Sequence, residues 1–402
     1  MSGFPWLGVI LCICSSVSVA WADDTLAAEA DHTIEAPSAS HPIVSRRCRE
    51  TSTMVFLTRL SRCPTAAVAA VRPGSVLISR SPCIYSNLAL ETWLFERLEF
   101  ADVERGMLFM WTNRPCVVIG RHQNPWFEAN LKRMSELNVA IARRNSGGGT
   151  VYHDQGNLNV SFLGPKATYN RKRNLHMICT VLKRHYGISA EPNERDDIIV
   201  DGKYKVSGTA SKLAHRKAYH HCTLLVNVDK AVLGEVLQNS CEHQVETKST
   251  RSVRAETINL TDVAPQVEMC ALARRLGEQF ASEVQTGAGL REVDVTEEAF
   301  PGVTNMTRQL QDWEWQFGWT PRFKISTDKL VVCVYHGRIE NITEVGARFE
   351  ASALGLANIV LRGKKFTIEE ITAVLGRLDS QRDRLSPLQD ALIECVNVVS
   401  YT

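Results

Sequence analysis

The sequence predicts a mixed α/β (α+β) fold made of two domains behind an N-terminal extension. At 402 residues the chain is long enough for about two domains of ordinary size. Hydrophobic residues make up 44% of it and charged residues 22%, which is typical of a globular protein with a substantial core. Helical and strand patterns follow one another along the chain, and an aromatic cluster after about residue 300 marks the start of a second region. We therefore predict an extension over 1–85, a larger α/β domain over 86–300 and a smaller α+β domain over 301–402.

Charge and cysteine content argue against several classes of protein. Lysine plus arginine number 46 against 44 acidic residues, so bulk charge does not favour a nucleic-acid partner. The 12 cysteines are scattered without any CxxC pair, so we expect neither a metal site nor a compact disulfide framework. After residue 25 no apolar run is long enough to cross a membrane, and no membrane partner is expected.

Two targeting patterns conflict near the N-terminus. Residues 1–22 contain an apolar run ending in Ala-Trp-Ala, which resembles a secretory signal without its basic start. Residues 23–53 are acidic and rich in alanine and serine, like a disordered linker. The stretch 54–90 has no acidic residue and four arginines, which is typical of a mitochondrial presequence. We predict that Met54 is the functional start of a protein of the mitochondrial matrix. The alternative is a secreted protein that starts near Asp23.

The larger predicted domain alternates between short apolar strands and amphipathic helices. Asn124 followed by Pro125 is a typical helix start, because Asn caps and Pro fits the first turn. The pair Asp201-Gly202 favours a hairpin. Helices are predicted at 91–100, 124–137, 175–186 and 269–280, and strands at 116–119, 139–142, 150–152, 158–162, 198–200, 205–212 and 219–228.

An aromatic cluster opens the smaller predicted domain. Trp313 and Trp315 would share one face of a strand, and we interpret them as anchors in a core or at a domain junction. Further along, Thr367 and Glu370 have the spacing of a capping box at a helix start. Strands are predicted at 330–335 and 338–345, followed by a helix at 368–378.

The segment from Arg143 to Thr150 contains three consecutive glycines. Such a run cannot pack a core and costs conformational entropy, so it suits backbone that approaches a ligand closely. Its bare N–H groups could form a nest for a phosphate-like anion, with Arg143 and Arg144 beside it. The loop matches neither a Walker A motif nor a dinucleotide fingerprint. From these residues alone, a plain flexible hairpin turn is the alternative.

A second segment places a lysine on a predicted half-buried strand. Alternation puts Lys205, Ser207 and Thr209 on one face, while Gly208 and Ala210 leave space on the other. A lysine in this position needs a partner, and an anionic ligand would supply one. The alternative is a surface lysine whose amine reaches water.

The triplet His220-His221-Cys222 has the residue types of a metal or nucleophile site. Adjacent strand residues point to opposite faces, however, so they are poor co-ligands. Cys222 and Cys179 could act as nucleophiles beside a histidine, but buried structural cysteines are the more typical case.

Several of these motifs together resemble the lipoate–protein ligase family, and within it the animal mitochondrial lipoyltransferase branch. The matching segments are 118–126, 143–157, 201–212, 219–225 and 310–318. The resemblance covers most of the chain after the extension. It implies a biotin/lipoate–protein ligase-like catalytic domain over 86–300, a small accessory domain after it, and an acyltransferase for protein lipoylation.

The resemblance also implies a site. Lipoyl-AMP, the acyl donor, would lie in a bifurcated pocket with Lys205 as the catalytic residue. The lysine amine of an acceptor protein attacks the acyl carbonyl and AMP leaves, so a cation and bare N–H groups would stabilise the developing charge. The other contacts to lipoyl-AMP implied by the resemblance are Tyr152, Arg195, Thr223, Val253, Ala255, Arg144, Gly147, Gly148 and Gly149, without a metal ligand.

The implied partners are lipoyl domains of 2-oxoacid dehydrogenase complexes as acceptors for a monomeric enzyme. The glycine-cleavage H protein is an alternative lipoyl donor, and the basic run 171–173 would suit an acidic acceptor. Two other functions remain open at this stage. One is a complete ligase that makes the adenylate from lipoate, ATP and Mg²⁺. The other is a non-catalytic module that binds lipoyl domains, which the presence of Lys205 and the glycine run disfavours.

Overall fold

The computed structural model of the chain describes residues 71–100, 106–237, 244–286 and 289–400. The secretory-like segment, the acidic linker and the predicted start at Met54 lie outside the described residues. No helix in the described ranges is long and apolar enough to cross a membrane.

Helices and strands alternate through the described residues, which confirms the mixed α/β class. The strands are β1 Val76–Ser79, β2 Met107–Trp111, β3 Cys116–Ile119, β4 Ala140–Arg143, β5 Val151–His153, β6 Asn157–Pro165, β7 Ala190–Pro192, β8 Ile198–Val200, β9 Tyr204–Lys205, β10 Thr209–Leu213, β11 Lys217–Leu225, β12 Val245–Thr247, β13 Leu290–Val293, β14 Phe323–Ser326, β15 Leu330–Tyr335 and β16 Arg338–Glu344. The helices are α1 Ile84–Arg97, α2 Pro125–Glu128, α3 Leu131–Glu136, α4 Arg171–Tyr186, α5 Lys230–Leu237, α6 Leu260–Val263, α7 Met269–Val284, α8 Val303–Gln311, α9 Ala351–Leu361, α10 Ile368–Leu375 and α11 Arg382–Ser400.

A mixed sheet forms the centre of the larger domain. Within the described ranges its strand order is β10-β11-β6-β2-β1-β13, with β1 parallel to both neighbours and the remaining pairs antiparallel. Successive residues of β2 alternate between two cores. Met107 and Phe109 pack with α1 and α8, whereas Leu108 and Met110 pack with α4 and α7. Because helices cover both faces, the whole of β2 is buried and apolar.

Two small sheets end next to the candidate site. One has the order β4-β3-β5 and ends where the glycine run begins; the other has the order β7-β8-β9 and ends at Lys205. The turn between β8 and β9 has left-handed backbone at Asp201 (φ 53°) and Gly202 (φ 67°), as a hairpin turn of this type requires. The predicted hairpin is therefore confirmed.

A second core, in the region predicted as the smaller domain, packs α9, α10 and α11 on a sheet of order β12-β14-β15-β16. Two elements cross the predicted domain limits. β12 belongs to the chain before residue 300, and β1 lies inside the region assigned to the extension but pairs with β2 and β13. The edges of the sheets therefore do not coincide with the limits at 85 and 300, because strand pairing joins segments that are distant in sequence.

The helix predicted over 91–100 begins earlier, at Ile84, and ends at Arg97. Three other predicted elements differ from the structure in type or continuity. The helix predicted over 124–137 is interrupted at Ala129, whose backbone is extended, because Asn130 caps a second helix by accepting a hydrogen bond from the Arg133 amide. The strand predicted over 205–212 is split between β9 and β10. Trp313 and Trp315 lie on a wide helical turn over 314–318 and its first flank, not on a strand.

Candidate active site

Lys205 is held at the end of β9 by backbone bonds on both sides. Its amide donates to the Glu256 carbonyl oxygen at 2.9 Å, and its carbonyl accepts from the Ile258 amide at 3.2 Å, while Ile199 of β8 pairs with it on the other edge. The chain then turns toward the main sheet. Ser207 is buried, its hydroxyl accepts from the Ile198 amide at 2.8 Å, and it lines the larger cavity together with Lys205.

The Lys205 ammonium has a buried partner. Its Nζ lies 2.9 Å from a carboxylate oxygen of Asp197, a residue that is 7% exposed. The Asn193 side chain fixes the preceding turn by accepting hydrogen bonds from the amides of Arg195 and Asp197. Asp197 was not among the residues predicted for the site. The available signal was an aspartate that directly precedes an apolar strand. That strand forms a hairpin with the strand of Lys205.

Lys205 lies where a larger cavity of about 840 Å³ meets a smaller one of about 290 Å³. Both cavities are formed by described residues, and the two share one wall. The residues that line both are Thr150, Val151, Lys205, Gly208, Thr223, Arg251, Ser252 and Val253. A single extended ligand could therefore occupy both branches and pass beside the Lys205 side chain.

The larger cavity combines apolar surface with positive charge. Tyr152 and Ala255 line it, together with the cations Lys230, Arg251 and Arg254. Burial and the nearby Asp154 charge raise the pKa of the Tyr152 hydroxyl, so this group stays neutral. These cations suit a ligand that carries phosphate, and Glu128 and Glu235 also line the cavity.

The smaller cavity combines apolar and polar side chains. Leu88, Trp111 and Val118 line it together with His153 and His221. His153 approaches the Asn113 amide at 3.0 Å, and burial lowers the pKa of its ring to about 3. The apolar side chains of this branch suit an alkyl chain, although Arg144, Arg195 and Asp197 also line the cavity.

The predicted site residues divide between the cavities. Tyr152 and Ala255 line the larger one, whereas Arg144, Gly148, Gly149 and Arg195 line the smaller one; Lys205, Thr223 and Val253 line both. Gly147 lines neither cavity. Thr223 is positioned by its hydroxyl, which accepts from the Gly208 amide at 2.9 Å.

The two arginines beside the glycine run mainly support backbone. Arg144 donates to the carbonyl oxygens of Gly147 and Gly149 at 2.6 Å each and to Val118 at 3.0 Å. Arg143 lines neither cavity and turns toward the smaller domain, so the expectation that both arginines flank an anion is wrong for Arg143. Burial lowers the pKa of Arg143 to about 9 and that of Arg144 to about 10.

The triplet His220-His221-Cys222 does not form a nucleophile site. Cys222 lines the smaller cavity, but burial raises the pKa of its thiol well above the usual value, which keeps it a poor nucleophile. His220 packs into the core beside Phe162, whereas the His221 ring lies 2.8 Å from both Glu91 and Ser146. The two histidines therefore face different surroundings.

Comparison with known proteins agrees with this fold. The family model described as the lipoyl protein ligase A/B catalytic domain matches residues 83–281. The mitochondrial lipoyl amidotransferase LIPT1 of Homo sapiens is 35% identical over 343 residues, which cover 81% of this chain and 91% of that protein. A lipoate-protein ligase A of Bdellovibrio bacteriovorus is 35% identical over 321 residues, which cover 72% of this chain and 92% of that protein.

A solved structure shows a similar fold. The crystal structure of P. falciparum LipL1 in complex with lipoate matches with a TM-score of 0.52 and 26% identity, covering 80% of this chain and 99% of that one. The chain belongs to the lipoate–protein ligase family. The family resemblance and the biotin/lipoate ligase-like fold expected from the sequence are both confirmed.

Proposed function

We propose that this lipoyl-transferring acyltransferase moves a lipoyl group from lipoyl-AMP to a specific lysine on a lipoyl domain. The observation that carries the proposal is the position of Lys205 at the junction of the two cavities. The smaller cavity would take the lipoyl chain and the larger one the AMP. The acyl carbonyl would then lie beside the Lys205 ammonium.

The transfer needs no covalent enzyme intermediate. The acceptor amine forms a bond to the acyl carbon, the bond from that carbon to the phosphate oxygen breaks, and AMP leaves while the amine loses a proton. Lys205 and backbone N–H groups of Gly148 and Gly149 would stabilise negative charge on the carbonyl and phosphate oxygens. Asp197, 2.9 Å from the ammonium, would hold Lys205 in place. The other predicted contacts that line the cavities would be lipoyl-AMP ligands: Tyr152, Ala255, Thr223, Val253, Arg144 and Arg195.

A complete ligase is the second candidate. The Bdellovibrio bacteriovorus relative of 35% identity is named a lipoate-protein ligase, so formation of lipoyl-AMP from lipoate, ATP and Mg²⁺ by this chain is a specific alternative. Family membership favours either enzyme over a non-catalytic binding module. A lipoylated glycine-cleavage H protein is the alternative donor.

We further propose that the acceptors are lipoyl domains of 2-oxoacid dehydrogenase complexes and that the enzyme works as a monomer in the mitochondrial matrix. The name of the human relative and the acid-free composition of 54–90 support this location. Peptide mapping of the mature N-terminus tests it, because a start near Asp23 would contradict mitochondrial import.

Intact mass spectrometry of an apo lipoyl domain distinguishes the reactions. One incubation contains lipoate, ATP and Mg²⁺, and another contains synthetic lipoyl-AMP. A lipoyl mass increase only with lipoyl-AMP is the expected result. An increase in both incubations identifies a complete ligase, and no increase in either from folded enzyme contradicts lipoyl-AMP as the donor.

Replacement of Lys205 tests the central residue. Lys205→Ala should slow transfer from lipoyl-AMP about 10²–10³-fold, because one electrostatic group at the reacting carbonyl is lost. Lys203→Ala removes an exposed lysine two positions away and should retain activity, since its surface ion pair with Glu256 contributes little. Equal rates for Lys205→Ala and the wild type in the same mass assay would refute the role.

A further inference from the structure

Residues 250–257 form a strap across the junction of the two cavities. Arg251, Ser252 and Val253 line both cavities, and Arg254 and Ala255 continue along the larger one. At its far end the strap bonds to the Lys205 backbone through residues 256–258. The position of the strap therefore determines the shape of the wall that the two cavities share.

One hydroxyl of the strap joins it to three other elements. Ser252 Oγ accepts from the Thr150 amide at 2.8 Å and from the Gln123 side-chain amide at 3.1 Å, and it donates to the Glu128 carboxylate. A Cβ on Gly149 would lie 3.2 Å from the same oxygen. The strap thus lies directly on the end of the glycine run, and the hydroxyl has its full complement of partners.

Glu128 supplies the acceptor from a rigid position. It is 6% exposed and ends α2, which begins at the Asn124 cap. Trp126 anchors α2 in the core of the smaller domain, with ring centroids 5.0 Å from Phe317 and 5.4 Å from Phe323. Both carboxylate oxygens of Glu128 also lie 3.3 Å from the Ser252 amide. Burying a carboxylate is costly unless hydrogen bonds compensate, so its partners need to stay in place.

We propose that Glu128 and Ser252 form a latch that holds the strap against the glycine run and so positions the acyl donor at Lys205. Glu128 also lines the larger cavity, and in this proposal it is a positioning residue because it acts through the strap. The proposal rests on the proposed function for its kinetic consequence. Its structural consequence, a strap that opens when the latch is removed, does not depend on the identity of the donor.

Kinetics and proteolysis of three variants test the latch. Glu128→Gln and Ser252→Ala should each raise KM for lipoyl-AMP about tenfold with a smaller change in kcat, as expected for loss of a hydrogen bond to a charged group. The effect of the double variant should be smaller than the sum of the two single effects, because the two changes share the Glu128–Ser252 hydrogen bond. Trypsin should cut faster after the exposed Arg251 and Arg254 in all three variants.

Glu136→Gln, which changes an exposed glutamate on α3, is the matched control and should behave as the wild type. Additive effects of the two single variants, or unchanged KM and cleavage at the strap, would overturn the latch. If Glu128→Gln fails to fold, Ser252→Ala alone decides, since it removes only a hydroxyl. If wild-type enzyme does not use lipoyl-AMP, faster strap cleavage still supports the latch while the donor assignment fails.

Discussion

At the scale of single residues, burial controls the charge of the histidines near the site. His220 stacks on Phe162 with ring centroids 6.0 Å apart, and its Nδ1 lies 3.3 Å from the Asn174 amide. Burial lowers the pKa of His220 to about 3, as it does for His153. Both rings are therefore neutral at neutral pH and serve as packing and hydrogen-bonding groups.

Because His220 is buried in its neutral form, we predict that the folded protein loses stability in acid. A ring with a pKa of about 3 in the folded chain and the ordinary 6.5 in the unfolded chain takes up a proton on unfolding, so stability falls as pH drops below 6.5. His220 should contribute roughly 2 kcal/mol of the loss between about pH 7.5 and about pH 5. Urea denaturation at these two values should show a smaller loss for His220→Phe. The exposed His215→Gln should match the wild type, and an unchanged loss in His220→Phe would contradict the prediction.

At the scale of elements, the glycine run is shaped by its contact with another loop. Gly148 has a left-handed backbone (φ 83°), and a Cβ on Gly120 would lie 2.2 Å from the Gly148 carbonyl oxygen. By contrast, a Cβ on Gly147 would meet no described atom within 4 Å. The tight position is therefore the glycine outside the run, which the sequence pattern did not single out.

Two alanine substitutions test this contact. Gly120→Ala should lower the free energy of unfolding by about 1–3 kcal/mol, because two backbone segments must move apart. Gly147→Ala should change it by less than about 0.5 kcal/mol. Urea denaturation of both variants measures the difference. Equal free energies of unfolding for the two variants would show that the loop from residue 120 can move to accommodate the added methyl group without loss of stability.

Local patterns predicted most elements because their causes are local. Thr367 accepts from the Glu370 amide at 3.3 Å, and Asn124 accepts from the Trp126 amide at 3.0 Å, as both capping patterns indicate. The break between β9 and β10 was missed, since alternation cannot show that a chain leaves one sheet for another. Ser207 is buried at that crossing.

At the scale of the whole molecule, Arg143 joins the base of the glycine run to the smaller domain. Its guanidinium donates to the carbonyl oxygens of Arg121 and Gln123 at 2.9 and 2.8 Å, and to that of Gln316 at 2.7 Å. The Trp315 indole donates back to the Arg143 carbonyl at 2.7 Å. Trp315 is thus an anchor at the domain junction, although its local structure is a helical turn.

Removal of this guanidinium should destabilise the whole chain. Arg143→Met leaves several buried carbonyl groups without donors, so the free energy of unfolding should fall by at least about 3 kcal/mol. Urea denaturation measures the loss, and the exposed Arg114→Met serves as the control. A loss below about 1 kcal/mol would mean that water replaces the guanidinium and that the junction does not depend on it.

The class of fold, most helices and strands and the family could be predicted from the sequence, and a catalytic role of Lys205 was predicted with them. These predictions rest on periodicity, caps and motifs that are contiguous in the chain. Which groups meet at the site depends instead on the tertiary structure. The contact of Glu128 with Ser252 spans 124 positions, and that of Arg143 with Gln316 spans 173. Such contacts depend on how sheets and loops pack, and no local pattern specifies which distant backbone will approach a given side chain.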